Sequence, residues 1–234
     1  MNVLVLGDDH TGGSGLPAGQ PDFVQHLTRP LHVSNRNLIV ETHCGQTLAA
    51  VADLLHRLPL ARYDLIVLQI GQRELLATPG LRSLLSRAAP AQPAQQRLTP
   101  ATSPALWLKR TLLAGLARVH QVPRLTFVQE QLVAILERLR PYRHNVLLLT
   151  PLPHREPISR WLRAEGRRLF LREGHARGFS VFDTHAVVQP REEYFLTDDP
   201  AHLNATGHEL LGRALFDFYQ NAPSVITIRP IRRS

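Results

Sequence analysis

Cysteine and lysine are almost absent from this sequence, and it has no long apolar run. Cys44 is the single cysteine, which excludes an internal disulfide and any zinc site built from several cysteines. Lys109 is the single lysine, so the formal charge of +8 comes almost wholly from arginine. The lack of about 18 consecutive apolar residues argues against a membrane-spanning helix.

The arginines do not form a pattern typical of nucleic-acid binding. Aromatic residues make up only 6% of the chain, and the arginines are spread along predicted helices, so we expect solvated helix faces and no nucleic-acid partner. The arginines in question are Arg138, Arg140, Arg160, Arg163, Arg167 and Arg168.

The first residues lack the basic segment and cleavage site of a secretory signal, so we expect a cytoplasmic protein. A chain of 234 residues with 44% hydrophobic residues is long enough to bury a proper core. We expect one domain over residues 1–234, with a helical or loop insertion at about 75–122 that several prolines interrupt.

Short apolar runs alternate with segments of helical spacing along the chain. The runs predict strands at 3–6, 38–42, 65–70, 145–150 and 179–183. Amphipathic spacing predicts helices at 21–27, 47–58, 126–139, 158–177 and 205–219, the second of them capped by Thr47. This alternation predicts an α/β fold, a three-layer α/β/α sandwich around a five-stranded parallel sheet.

Polar groups follow three of these segments. Asp8, Asp9 and His10 come directly after the first strand, Gly71–Glu74 follows the third, and an Asp199-x-x-His202 pair precedes the last helix. Parallel strands end at one edge of a sheet, where α/β folds place their ligands, so we expect these groups to converge. In such a pair the carboxylate orients the imidazole, and the pair needs a nucleophile or a water as its third member.

These blocks resemble, in order and over nearly the whole chain, those of the SGNH (GDSL-type) hydrolase superfamily. Gly7–Asp9 stands in the place of that family's Gly-Asp-Ser block, and Gly45 matches its oxyanion-hole glycine. Gly71–Glu74 stands in the place of Gly-x-Asn-Asp, and Asp199–His202 matches its final Asp-x-x-His. The segment 203–208 after it is also typical of the family. The resemblance implies a flavodoxin-like SGNH hydrolase fold and an ester or acyl substrate, a small molecule or a carbohydrate.

Two signature positions depart from the family. Asp9 stands where the nucleophilic serine is expected, and Arg73 stands where the oxyanion-hole asparagine is expected. An aspartate has no hydroxyl proton for His202 to remove, and its charge repels a developing oxyanion. Arg73 could neutralise Asp9, or it could hold a carboxylate or phosphate of the substrate.

Several interpretations stay open at this point. In the first, Asp9, His202 and Asp199 are catalytic, with Asp9 as a carboxylate nucleophile or as a general base towards water. Gly45, Arg73, Asp8 and His10 then bind the substrate or the oxyanion, without a cofactor. In the second, the protein is catalytically silent and binds an anionic ligand through Arg73 and His10.

A third and weaker interpretation is a metal-dependent phosphoesterase, based on the Asp8-x-His10 spacing with Asp9, Asp199 and His202 as further ligands. We expect no metal, since the other blocks of that family are missing.

Four other residues receive structural expectations. We expect Cys44 to be a small buried apolar group. We expect Ser14 to belong to a flexible loop rather than to act as a displaced nucleophile. His154 is expected at the rim of the site, and Glu74 is expected to support the third loop.

Overall fold

The computed structural model describes residues 1–34, 37–76 and 122–221. Its five strands form one parallel sheet in the order β2-β1-β3-β4-β5. This confirms the predicted five-stranded parallel sheet, and each strand lies within about one residue of its predicted position. The strands are β1 Asn2–Gly7, β2 Ile39–His43, β3 Leu65–Gln69, β4 Val146–Leu149 and β5 Ser180–Phe182.

Helices cover both faces of the sheet, as the three-layer prediction requires. The first helix is longer than predicted, because Leu27 and Leu31 continue its buried face past Pro30. Thr47 caps the second helix as predicted, since its hydroxyl accepts a hydrogen bond from the amide of Ala50 at 3.2 Å. The helices are α1 Phe23–Ser34, α2 Leu48–Arg57, α3 Pro123–Leu139, α4 Pro157–Ala176, the short α5 Thr184–Val187, and α6 Ala205–Asn221.

Alternate residues of the strands point into two separate cores. Val3 and Val5 of β1 pack in the core that α1 and α6 cover, while Leu4 and Leu6 pack in the core under α2, α3 and α4. All four side chains are fully buried, and burying each contributes about 1.5–3 kcal/mol to stability. The continuous apolar run of β1 is therefore explained by burial on both faces.

The order of the strands places a crevice at the carboxyl ends of β1 and β3. The chain leaves β1 through α1 on one face and reaches β3 through α2 on the other, so these neighbouring strands form the topological switch point of the sheet. Loops that follow β1 and β3 therefore meet at this edge.

Part of the predicted domain organisation lies outside the described residues. This applies to residues 77–121, which include most of the predicted insertion, and to residues 222–234. The single domain over 1–234 and its insertion stay predictions. Within the described ranges, no helix combines the length and the apolar character that a membrane span needs.

Candidate active site

The loop after β1 turns sharply and presents Asp9 at the sheet edge. Gly7 ends the strand where a Cβ atom would lie only 1.7 Å from the Thr11 hydroxyl, so no larger residue fits there. Asp8 then caps a short 3-10 turn that begins at Asp9 by accepting a hydrogen bond from the amide of His10 at 3.1 Å. The Asp9 side chain is 28% exposed, so it faces accessible space while Asp8 is buried.

Asp9, Gly45 and Arg73 come together, as the strand ends predict. The Arg73 Nε lies 3.9 Å from Asp9 Oδ2, and Arg73 Nη1 donates a hydrogen bond to the Gly45 carbonyl at 3.0 Å. Gly45 has a φ of +68°, a conformation that favours glycine, and a Cβ atom there would lie 3.6 Å from Asp9 Oδ1. Arg73 thus balances the charge of Asp9 within the site.

Asp199 and His202 form a short hydrogen-bonded pair in the loop before α6. His202 Nδ1 lies 2.6 Å from Asp199 Oδ2, and the Asp199 Oδ1 accepts a hydrogen bond from the Ala201 amide at 2.8 Å. Burial raises the pKa of Asp199, but the hydrogen bonds from His202 and Ala201 outweigh it and bring the pKa to about 2. The carboxylate is therefore charged and leaves His202 Nε2 as the nitrogen that can meet a substrate.

The family-typical segment after His202 fixes the start of α6. The Asn204 side chain accepts a hydrogen bond from the Gly207 amide at 3.0 Å, which satisfies one of the free donors at a helix N-terminus. A Cβ atom at Gly207 would lie 2.4 Å from the Tyr194 carbonyl oxygen, so glycine is required there. These contacts fix the loop that carries His202 to the first turn of α6.

Asp8 and His10 lie beneath the surface of the site. His10 is 2% exposed, its Nδ1 lies 3.2 Å from Asp8 Oδ1 and its Nε2 lies 2.8 Å from the Ala201 carbonyl oxygen. The His10 ring stacks on the His202 ring with centroids 5.0 Å apart. The turn that carries Asp9 and the loop that carries His202 are therefore neighbours. The expected substrate contacts of Asp8 and His10 stay a prediction; in this structure both bond within the protein.

Sequence reasoning missed a buried arginine behind these loops. Arg163 is 1% exposed and donates to the carbonyls of Leu152 and Gln72 at 3.1 and 3.4 Å. Burial lowers its pKa to about 10, although the negative charges of Asp8 and Asp199 act to raise it.

The assignment of Arg163 to a solvated helix face is therefore wrong. A signal existed in the sequence, since Arg163 shares the 3–4 residue spacing of the buried residues of α4.

His154 is fully buried, so the expectation of a residue at the rim of the site is wrong. Its Nδ1 accepts a hydrogen bond from the Glu156 amide at 2.9 Å. Burial, and then the charge of Arg163, lower its pKa well below the usual value. His154 is therefore a neutral internal group that packs behind the site.

Glu74 has the supporting position that the sequence indicates. Its side chain is buried, and its Oε1 accepts a hydrogen bond from the Leu48 amide at 2.8 Å. Burial raises the pKa of this carboxyl. The contact joins the loop after β3 to the first residue of α2, close to Gly45 along the chain.

Cys44 is exposed, so the expectation of a buried apolar thiol is wrong. Partial burial and then the carboxylates of Asp22, Asp8 and Asp9 raise its pKa, which disfavours a nucleophilic thiolate. Ser14 is also exposed, and its amide donates to the Asp9 carbonyl at 3.1 Å. Neither residue carries the features of an activated nucleophile.

The metal-dependent interpretation requires a cluster of ligand side chains. Within residues 1–34, 37–76 and 122–221, the structure contains no group of three or more histidine, cysteine, aspartate or glutamate side chains arranged to hold a metal ion. Asp8 and His10, the proposed first ligands, instead contact each other and Ala201.

Comparisons with known proteins place the fold. No family model matches the sequence, and no curated protein matches it. Among solved structures, a lipase/acylhydrolase from Enterococcus faecalis is 17% identical with a TM-score of 0.60, covering 93% of this chain and 94% of its own. A lipase from a goat rumen metagenome is 22% identical with a TM-score of 0.58, covering 92% and 95%.

A catalytic mutant of an acetylxylan esterase from Geobacillus stearothermophilus is 14% identical with a TM-score of 0.59, covering 92% of each chain. At these identities the similarity shows the fold alone, so this chain shares its five-stranded parallel sheet with flanking helices with these enzymes.

Proposed function

We propose that this protein hydrolyses an ester or acyl group, on a small molecule or a carbohydrate, with Asp9, His202 and Asp199 as its catalytic residues. The observation that carries the proposal is the 2.6 Å contact between Asp199 and His202, in a loop that stacks against the turn bearing Asp9. The neighbouring folds are named as lipases and esterases, which supports this substrate class by analogy.

His202 supplies the proton transfers. Its Nδ1–H donates to Asp199, so Nε2 accepts a proton from water or delivers one to the leaving alcohol. Asp199 stays charged, because its pKa of about 2 lies far below neutral pH, and it stabilises the imidazolium that forms. This half of the site needs no serine to operate.

Asp9 completes the site in one of two ways. As a nucleophile, its carboxylate oxygen attacks the acyl carbon while His202 carries a proton on both ring nitrogens. The alcohol leaves with the Nε2 proton, and the neutral His202 then takes a proton from the water that cleaves the resulting anhydride, which restores the imidazolium. As a general base, Asp9 takes a proton from the water that attacks the acyl carbon, the imidazolium of His202 gives its Nε2 proton to the leaving alcohol, and the proton on Asp9 then returns to His202. Arg73 serves both routes, since its guanidinium neutralises Asp9 and has further donors for the developing oxyanion.

Hydrolysis of short acyl esters and acetylated sugars tests the proposal. We expect His202→Ala to lower kcat by roughly 10²–10⁴-fold, the usual contribution of a general acid–base group. If His202→Ala and the wild type hydrolyse every tested ester at the same rate, the proposal is wrong. Hydroxylamine added during turnover distinguishes the two routes, because only an Asp9 anhydride can leave a hydroxamate on the Asp9 side chain, which mass spectrometry finds on the Asp9 peptide.

A catalytically silent binding protein is the second candidate. The observation that favours it is the internal contact of Arg73 with both Asp9 and Gly45, which occupies donors that an oxyanion would need. In this case neither the wild type nor His202→Ala hydrolyses any ester, and Asp9→Ser gains measurable hydrolysis if the rest of the site is intact.

A further inference from the structure

His10 bonds to two oxygen atoms that can only accept hydrogen bonds. One is the Asp8 carboxylate, 3.2 Å from Nδ1, and the other is the Ala201 carbonyl, 2.8 Å from Nε2. A neutral imidazole donates from one nitrogen only. Because the Ala201 carbonyl can only accept, Nε2 is the donor in the 2.8 Å contact.

We propose that His10 is a positioning residue for His202. Its ring joins the turn after β1 to the carbonyl of Ala201, the residue directly before His202, and its face supports the imidazole of His202. Two aspartate–histidine pairs, Asp8–His10 and Asp199–His202, thus lie side by side with their rings 28° from parallel.

The two aspartate–histidine pairs bind different groups of the Ala201–His202 segment. His10 holds the Ala201 carbonyl, and Asp199 holds the Ala201 amide at 2.8 Å and the His202 ring at 2.6 Å. The amide of Leu196 holds the His202 carbonyl at 3.0 Å. Only the ring of His10, which is 2% exposed, connects this segment to the turn that bears Asp9 by a hydrogen bond in the described structure.

The link matters because His202 must present Nε2 in a fixed direction. A misplacement of about 1 Å in a catalytic group costs roughly 100-fold in rate. The catalytic consequence rests on the proposed function, whereas the positioning itself is a property of the folded protein without a substrate.

Three substitutions separate the contacts of His10. The amide nitrogen of glutamine occupies nearly the position of Nε2, so His10→Gln keeps the bond to Ala201. The amide of asparagine occupies nearly the position of Nδ1, so His10→Asn keeps the contact with Asp8 and loses Ala201. His10→Phe keeps a stacked ring and loses both hydrogen bonds.

NMR of the imidazole groups and amide hydrogen exchange provide the test. In the wild type we expect a single Nδ1–H tautomer for His202 and a proton on Nε2 of His10, which donates to the Ala201 carbonyl. His10→Asn and His10→Phe should give mixed His202 tautomers and amide exchange at Ala201 about ten-fold faster or more, as local opening becomes easier. His10→Gln should stay close to the wild type in both measurements.

Global destabilisation alone would leave the His202 tautomer of the folded molecules unchanged. The proposal is wrong if all three variants keep one His202 tautomer and wild-type exchange at Ala201, or if Nε2 of His10 carries no proton in the wild type. The second criterion needs no variant to fold.

Kinetics on an ester that the wild type hydrolyses extend the test. His10→Asn and His10→Phe should lower kcat by roughly 10–100-fold with KM little changed, and His10→Gln should recover most of the rate. If the wild type hydrolyses no ester, the proposed function fails, while the NMR result still decides the role of His10.

Discussion

The Asp8–His10 pair, on the histidine side of the candidate site, and the Asp9–Arg73 pair, on its aspartate side, differ in burial and in how closely their side chains are held. On the histidine side, Asp8 and His10 are 1% and 2% exposed, and the contacts that fix His202 are 2.6–3.2 Å long. On the aspartate side, Asp9 and Arg73 are 28% and 26% exposed, and their charged atoms lie 3.9 Å apart.

This difference indicates which positions can be substituted with little loss of stability. Exposed ion pairs contribute about 0–1 kcal/mol to stability, whereas removing one partner of a buried charged hydrogen bond costs about 1–3 kcal/mol or more. Asp9 and Arg73, the positions predicted to depart from the serine and asparagine of the resembled family, lie on the loosely held side. The chemistry of the site can therefore be altered there while its framework persists.

The largest expected effect lies at Arg163, deep on the histidine side. Arg163→Met leaves the carbonyls of Leu152 and Gln72 without their donor. It also removes the positive charge that balances the negative charges of Asp8 and Asp199. We expect the free energy of unfolding to fall by about 3–5 kcal/mol in urea denaturation. Arg168→Met, on the exposed face of the same helix, is the control and should cost less than about 1 kcal/mol. Equal stability of the two variants would contradict the comparison.

Acid should destabilise the protein through His208, whose pKa responds to His10 and His202 on the histidine side. Burial, and then the charges of His10, His26 and His202, lower the pKa of His208 to about 3, and its Nδ1 accepts a hydrogen bond from the Phe23 amide at 3.1 Å. Below the unfolded pKa of about 6.5, the unfolded chain binds a proton that the folded protein excludes. Stability should therefore fall as pH falls from about 6.5 towards 3.

His208→Asn keeps an acceptor for the Phe23 amide and removes the titrating group. Its unfolding free energy should change with pH by about 1.4 kcal/mol less per pH unit than that of the wild type between roughly pH 6 and 4. Thermal or urea unfolding across this range measures the slope. His56→Asn, an exposed position on α2, is the control, and an unchanged slope in His208→Asn would mean that His208 does not exclude the proton.

Adjacent aspartates allow the same substitution on both sides of the site. Asp8→Asn loses a charged acceptor for the amide and ring of His10, and we expect a cost of about 2 kcal/mol. Asp9→Asn loses only the 3.9 Å contact with Arg73, and should cost less than about 1 kcal/mol. Urea denaturation measures the free energy of unfolding of both variants. A larger loss of stability in Asp9→Asn than in Asp8→Asn would contradict the comparison.

The smallest expected effect concerns the single thiol. The carboxylate of Asp9 is one of the charges that raise the pKa of Cys44, so Asp9→Asn should lower that pKa and increase the thiolate fraction. We expect iodoacetamide to alkylate Cys44 about two-fold faster near pH 8. Asp53→Asn, an exposed position on α2, should leave the rate unchanged; a similar increase in both variants would mean that Asp9 has no specific effect.

Much of the architecture could be predicted because it depends on local patterns. The apolar runs of β1 and β3 and the cap at Thr47 are encoded in neighbouring residues, and the structure shows them where they are expected. The convergence of Asp9, Gly45 and Arg73 followed from one rule, that parallel strands end at the same edge. Arg163, His154 and Cys44 were misassigned, because residue type gives the average burial of a side chain and not the burial at one position.

The sequence by itself determined the order of strands and helices, the turn glycines and the pairing of Asp199 with His202, since each rests on residues close together in the chain. Only the tertiary structure decided that His10 bonds to Ala201, 191 residues away, and that Arg163 is buried behind both aspartate–histidine pairs. The physical reason is that burial and long-range hydrogen bonds arise from packing between elements, where a side chain's partners are set by the fold and not by its neighbours in sequence.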